Sequence, residues 1–183
     1  MDDYPKHLAP EFTEGGAVAT PFEVWWKKAR LHFVAVPEEV ARYWLHEHWS
    51  HSPYRYLKSA DHVFERVAWP SRKLFEVRTA WNDFSNEMEK ALSHGRYLLD
   101  EWPHDRPYRT ARYMLEHRDF PTPIIVLDNR DAHIDEKSAQ SRREVVPAEY
   151  VLVEGHRRFN MALHLIETDR FDSEVDIWLM KRR

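Results

Sequence analysis

Glu149-Tyr150-Val151-Leu152-Val153-Glu154-Gly155-His156-Arg157-Arg158-Phe159-Asn160-Met161-Ala162-Leu163 reads as a strand, a tight turn and a helix. Tyr150 to Val153 is an apolar run, aromatic or mostly β-branched, of a length that suits a buried strand. Glu154-Gly155 interrupts the run, and glycine accepts the positive φ such a turn often needs. Phe159, Ala162, Leu163 and Ile166 then recur at helical spacing, which turns one apolar stripe towards a sheet. The backbone N–H groups of residues 155–158 are expected to be free at a helix N-terminus, with Arg157 and Arg158 beside them. Free donors, the positive end of the helix dipole and guanidinium groups together suit a phosphate or another small anion. Gly155, His156, Arg157 and Arg158 are therefore the candidate phosphate-binding residues, with Arg158 as the foremost charged ligand. The alternative is that the arginines pair with nearby carboxylates and the turn is only a turn.

Outward from this stretch, the chain carries two further segments in a fixed order. Arg112-Tyr113-Met114-Leu115 runs into Phe120-Pro121-Thr122-Pro123-Ile124-Ile125-Val126-Leu127 upstream, and Ser173-Glu174-Val175-Asp176-Ile177-Trp178-Leu179 follows downstream. The strand–Gly-x-x-Arg–helix box, the short helix before Pro-Ile-x-Val and the closing strand together resemble the ParB/sulfiredoxin superfamily, which includes the ParB-like nuclease domain. The resemblance covers about residues 105–180. It implies an α/β (α+β) domain, a small mixed sheet packed on helices, and a nucleotide phosphate at the signature turn. Members include CTP-hydrolysing chromosome-partitioning proteins, nucleotide-using kinases, ATP-dependent sulfiredoxins and proteins described as nucleases. One departure matters chemically. The reactive Cys of sulfiredoxins follows the signature Gly, where this sequence has His156, and the chain has no Cys. Sulfinic-acid reduction by that route is thus excluded. Partitioning proteins continue into a helix-turn-helix domain, whereas this sequence stops at Lys181-Arg182-Arg183, so partitioning activity is not expected.

Composition sets the outer bounds. A chain of 183 residues with 43% hydrophobic content and 8 Trp is long and apolar enough for a core. The absence of Cys removes disulfides, thiol catalysis and thiolate metal sites. No apolar run reaches the roughly 20 residues of a membrane span, and the acidic, polar N-terminus lacks a signal-peptide pattern. The expected setting is cytoplasmic, with no membrane partner. A net charge of −4 does not favour non-specific nucleic-acid binding.

Residues 1–70 read as an arm and a helical extension, and residues 71–183 as the α/β domain. Pro5, Pro10, Gly15 and Gly16 mark residues 1–19 as irregular. Thr20-Pro21-Phe22-Glu23 predicts a helix start with a Thr20 cap and a Glu23 capping box. Phe22, Trp25, Trp26, Ala29 and Phe33 would be its buried face. Pro37-Glu38-Glu39 starts a second helix burying Val40, Tyr43 and Trp44 and failing by Ser52-Pro53. Leu74 to Arg78 is the preferred first strand of the core, with Val63 to Val67 as the earlier alternative. Phe84, Met88, Ala91 and Leu92 predict a third helix ending near Gly95. Trp102 to Pro107 is a proline-rich loop, Thr110 to His117 a short helix and Ile124 to Leu127 a strand. Asp128 to Pro147 is a long polar excursion before the signature strand.

Several other groups admit a chemical role. Glu154 could hold Mg²⁺ bridged to a nucleotide or activate water, or it could face solvent. His156, with an ordinary pKa near 6.5, could serve as acid or base, or as a neutral hydrogen-bonding residue. Arg112 and Arg109 could complete an anion site if their helix packs beside the turn, or lie on a solvated face. Asp128, Asn129 and Asp131 could ligate a metal or be ordinary loop residues. His46-Glu47-His48-Trp49-Ser50-His51 puts His48 and His51 on one helical face, but Ser50 stands where a zinc-protease helix needs its second His. No metal site is assigned there. Trp25, Trp26, Trp44 and Trp49 could stack on a ligand or fill a core.

The resemblance implies a nucleotide-binding enzyme that hydrolyses or transfers a phosphoryl group. It would use a nucleoside triphosphate, ATP or CTP, with Mg²⁺. Glu154 and His156 would be catalytic, and Gly155, His156, Arg157, Arg158 and Arg112 would hold phosphates. A non-catalytic nucleotide- or nucleic-acid-binding module is the main alternative, and a nuclease with the same residues around a metal is another. A homodimer with nucleotide at its interface would mark a switch.

Overall fold

The computed structural model describes residues 4–52, 54–102, 108–134 and 145–183. Residues 103–107 of the expected proline-rich loop, residues 135–144 of the excursion and the helix stop at Pro53 lie outside the described residues. The protein is a mixed α/β structure with a five-stranded sheet. The chain divides into two compact units, residues 1–64 with 180–183, and residues 65–179. Sequence composition draws its line at residue 70. No described helix is long and apolar enough to cross a membrane.

The first unit holds α1 (Phe22–Ala29) and α2 (Glu38–Val40), the latter continuing as a π-helical turn through His46. The predicted capping box at α1 is not formed. Pro21 is the N-cap, the Thr20 hydroxyl accepts the Glu11 N–H at 2.8 Å, and Glu23 pairs with Arg42 at 2.8 Å. Partners distant in sequence have outcompeted the local cap. The expected buried face holds for Phe22, Trp25, Ala29 and Phe33, while Trp26 is half-buried. Val40 and Trp44 are buried as expected, and Tyr43 is half-buried. The tryptophans belong to a core. Trp25, Trp44 and Trp49 are buried, with the Trp25 indole N–H donated to the Leu8 carbonyl at 2.7 Å and that of Trp44 to Ser52 Oγ at 2.9 Å. Even the irregular arm is anchored, because Tyr4 is buried against Phe33 and Trp49.

The sheet runs in the order β1-β5-β3-β4-β2, with β1 at His62–Pro70, β2 at Val77–Arg78, β3 at Ile124–Asp128, β4 at Tyr150–Glu154 and β5 at Glu174–Arg182. It is mixed, since β4 pairs parallel with β2 and antiparallel with β3. The preferred first strand, Leu74 to Arg78, is corrected. Ser71–Glu76 is a 3₁₀ helix, only Val77–Arg78 is strand, and the earlier alternative around Val63 lies inside β1. Ser71, Leu74 and Val77 are the buried residues here, and their spacing of three is the 3₁₀ repeat, not the strand repeat of two.

The second unit is built on α3 (Glu89–Arg96, continuing as a π-helical turn through Glu101), α4 (Arg109–His117) and α5 (His156–Glu167). Helix α5 packs on β3 and against α3, α4 and the Ser71–Glu76 turn. Phe159, Met161, Ala162, Leu163, Leu165 and Ile166 are all buried in it, with Ile124, Val126 and Leu152 from the sheet in the same core. The third helix does not begin at Phe84, which sits in a left-handed conformation at φ 54° in the preceding loop. Nor does it end at Gly95, which lies within α3. A Cβ at Gly95 would come 2.1 Å from the Asn160 carbonyl oxygen, so this glycine lets α3 and α5 touch backbone to backbone.

The close approach makes Gly95→Ala a sharp test. The added methyl meets backbone that cannot move aside, and a loss of at least about 2 kcal/mol is expected from overpacking. Gly15→Ala is the control, since its Cβ would meet only the Thr13 hydroxyl at 3.8 Å. Urea unfolding of both variants checks this, and equal midpoints would show that the helices separate at no cost.

Candidate functional site

The site begins at the end of β4. The register between β3 and β4 shifts between Ile125 and Val126, so Val153 is an extra residue opposite the partner strand. Such a bulge bends the strand and re-aims the residues after it. Gly155 follows at φ 97° and forms the N-cap of α5. A Cβ here would lie 2.6 Å from Ile124 Cγ2, so both conformation and space require glycine. Among the described residues no side chain caps the helix. Its first intrahelical bond is from the Phe159 N–H to the Gly155 carbonyl at 2.8 Å, so the N–H groups of Arg157 and Arg158 have no acceptor within the helix. The strand, left-handed turn and helix are thus placed as the sequence predicts.

The charged residues divide in a way the sequence leaves open. Arg158 turns inward. Its Nη1 donates to the Thr122 carbonyl at 3.0 Å and its Nη2 is paired with Glu154. Both side chains are largely shielded, at 12% and 15% exposure. The pairing of an arginine with a nearby carboxylate is therefore realised at Arg158, and Glu154 does not face solvent. Arg157 is exposed, its guanidinium carbon 5.9 Å from the Tyr108 ring centre. The geometry makes Arg157, not Arg158, the charged side chain presented outwards. Arg112 stands on the exposed side of α4, around an open depression with Arg109, Tyr113 and Glu116. Among the described residues it forms no hydrogen bond or ion pair with the turn.

His156 is stacked on Trp81, with ring centres 4.7 Å apart and planes at 23°. Trp81 also lies 5.9 Å from His94, whose Nδ1 is 2.9 Å from the Asn160 side-chain amide. Partial burial holds the His94 pKa below its ordinary value, and the positive charge of Arg157 lowers it further. Trp81, His94 and Asn160 were not legible as neighbours of the turn. Asn160 lies on the signature helix, but nothing in Thr79-Ala80-Trp81-Asn82 announces that its indole meets His156.

The other candidates have internal roles. Arg130 grips Asp128 with two bonds of 2.8 Å. The Asn129 amide, fully buried, donates to the Ile134 and Pro147 carbonyls and closes the base of the excursion. Asp131 bonds His133. In the His46–His51 segment, His46 Nε2 donates to the Thr20 carbonyl and His51 Nδ1 meets Ser50 Oγ. Among the described residues no group of three or more His, Asp or Glu is placed to hold a metal ion. Comparison of the chain with protein-family models, curated proteins and solved structures gives no match.

The shielded Glu154–Arg158 pair should couple strongly. A double-mutant cycle with Glu154→Ala and Arg158→Ala is expected to give about 1–3 kcal/mol, in the range for contacting residues, and more than the same cycle on the exposed Glu23–Arg42 pair. Equal coupling in both would show that solvent reaches the turn. A second outcome concerns His94. Arg157→Ala should raise its pKa part of the way to the ordinary value, because burial is the larger cause. A folded pKa below the unfolded one means that the neutral ring stabilises the fold. This contribution is full above about pH 6.5 and is lost as pH falls through the folded value. NMR titration of the His94 ring in both proteins measures it, and an unchanged pKa would separate Arg157 from His94.

Proposed function

We propose that the protein binds the phosphates of a nucleoside triphosphate, ATP or CTP, at the β4–α5 turn, in the manner of the ParB/sulfiredoxin proteins. The observation that carries this reading is the uncapped N-terminus of α5 behind a glycine held at φ 97°, with Arg157 exposed beside it. The backbone N–H groups of Arg157 and Arg158, the helix dipole and a guanidinium converge on one place, and a phosphate suits all of them.

In the catalytic form of this proposal the protein hydrolyses or transfers a phosphoryl group with Mg²⁺, using Glu154 and His156. Mg²⁺ is usually held by one or two carboxylates together with the substrate phosphates. Glu154 is the carboxylate at this turn, and Arg158 holds it. Metal-assisted chemistry therefore requires the phosphates to draw Arg158 away from Glu154, an exchange of one ion pair for another. His156, stacked on Trp81 at the first position of the helix, would then move the proton. The intact Glu154–Arg158 pair favours a second reading, a non-catalytic module that binds nucleotide at the turn and leaves the pair in place.

Thermal unfolding with ATP, ADP, CTP and GTP, with and without Mg²⁺, tests the proposal. A nucleotide at 100 times its Kd should stabilise the protein by about 2.7 kcal/mol, a shift of a few degrees. Arg157→Ala should remove most of that shift with little effect on the unliganded protein. Phosphate release measured alongside separates the two readings. No shift with any nucleotide would sink the proposal.

A further inference from the structure

Beside the turn, within the second unit, lies a cleft of about 150 Å³. Trp81, Thr79, Asn82, Lys90, His94 and Asn160 line it. Its most unusual wall is Trp81, a large aromatic side chain left 54% exposed. A scattered surface hydrophobe needs no explanation by itself. This one is held in place by a constrained loop. The Trp81 N–H donates to Thr79 Oγ1 at 3.2 Å, the Asn82 and Phe84 N–H groups both donate to the Thr79 carbonyl at 3.1 and 3.0 Å, and the buried Asn82 amide donates to the Glu87 carbonyl. Asp83 and Phe84 are both left-handed, at φ 50° and 54°. Successive left-handed residues with side chains cost energy, and such strain persists where the surroundings over-determine it.

The loop therefore spends stability to keep an indole at the mouth of a cleft, braced from one side by the His156 ring. The cleft also adjoins the turn. His156, the first residue of α5, stacks on Trp81, and Asn160, one turn further on, bonds His94, whose ring centre lies 5.9 Å from that of Trp81. Lys90 lines the cleft with its ammonium 3.8 Å from the Asp83 carboxylate, and the positive charge of Arg157 acts on His94. An exposed π face, a hydrogen-bonding His–Asn pair and nearby positive charge suit a flat heteroaromatic ring attached to an anion. We propose that the Trp81–His94 cleft binds the base of the nucleotide whose phosphates lie at the β4–α5 turn, with the base stacked against Trp81. This rests on the phosphate reading of the turn and adds a second subsite to it.

Calorimetric titration of the full chain with ATP, CTP, adenosine, cytidine and inorganic triphosphate separates the two subsites. Wild type should bind a nucleoside triphosphate more tightly than inorganic triphosphate. Trp81→Ala should weaken the nucleotide about tenfold or more, the effect of losing one base–aromatic stack, and leave inorganic triphosphate unchanged. Trp81→Phe should restore most of the affinity. Trp81→Leu keeps an apolar side chain over His156 without a π face, and serves in place of Trp81→Ala if the latter does not fold. Nucleotide binding that is equal in wild type and Trp81→Leu would overturn the base subsite and leave the phosphate reading standing. A nucleoside that binds through Trp81 while inorganic triphosphate does not bind would support the cleft and overturn the phosphate reading. Absence of binding by all five compounds would overturn both.

Discussion

Burial of α5 is the constraint on which the second unit depends. Each large apolar side chain taken from water contributes about 1.5–3 kcal/mol, and Phe159, Met161, Leu163, Leu165 and Ile166 are all buried on this one helix. A helix so apolar on several sides must be enclosed, and β3, α3, α4 and the Ser71–Glu76 turn enclose it. Close packing leaves little freedom in that arrangement. Gly95 brings α3 to the backbone of α5, and Gly155 brings the start of α5 over Ile124. The position of the helix N-terminus is thus set by core packing, before any ligand is considered.

The polar groups at that N-terminus take their roles from the same constraint. Arg158 lies one turn into a helix whose side is already packed, so its guanidinium turns under the turn to Glu154 and the Thr122 carbonyl. It ties β4, α5 and the segment before β3 together. Arg157, one residue earlier, points to the open side. Neighbouring residues on a helix point about 100° apart, which is enough to make one arginine part of the scaffold and leave the other exposed. The Glu154–Arg158 pair also keeps the carboxylate from acting alone, so under the proposed function the binding of phosphate and the use of Glu154 would compete for one guanidinium.

The first unit shows the opposite economy of charge and packing. Its Trp25 and Trp44 are enclosed and their indole N–H groups satisfied, Trp25 by the Leu8 carbonyl and Trp44 by Ser52. An aromatic side chain kept from water with its polar atom bonded is a core residue. Trp81 differs because it lies on a strained loop at a cleft, exposed and stacked on a histidine. Residue type alone does not separate these cases.

What the sequence by itself determined is local. The run from Tyr150 to Val153, the break at Gly155 and the apolar spacing beyond it specify strand, left-handed turn and helix, because period-two and period-3.6 patterns and a glycine turn are properties of adjacent residues. Ile124 to Leu127 and the helix before it were legible for the same reason. Tertiary structure decided whatever depends on residues far apart in the chain. Thr20 gave up its capping role to the Glu11 N–H, and Leu74 lies in a 3₁₀ turn that packs against α5, far away in the chain. Gly95, read as a helix end, proved to be a point of contact with Asn160, 65 residues away (160 minus 95). The candidate site divides along the same line. The donors of the turn follow from the local pattern, whereas the inward course of Arg158, the outward course of Arg157 and the meeting of Trp81 with His156 required the folded chain, since packing and charge pairing act through space and not along the sequence.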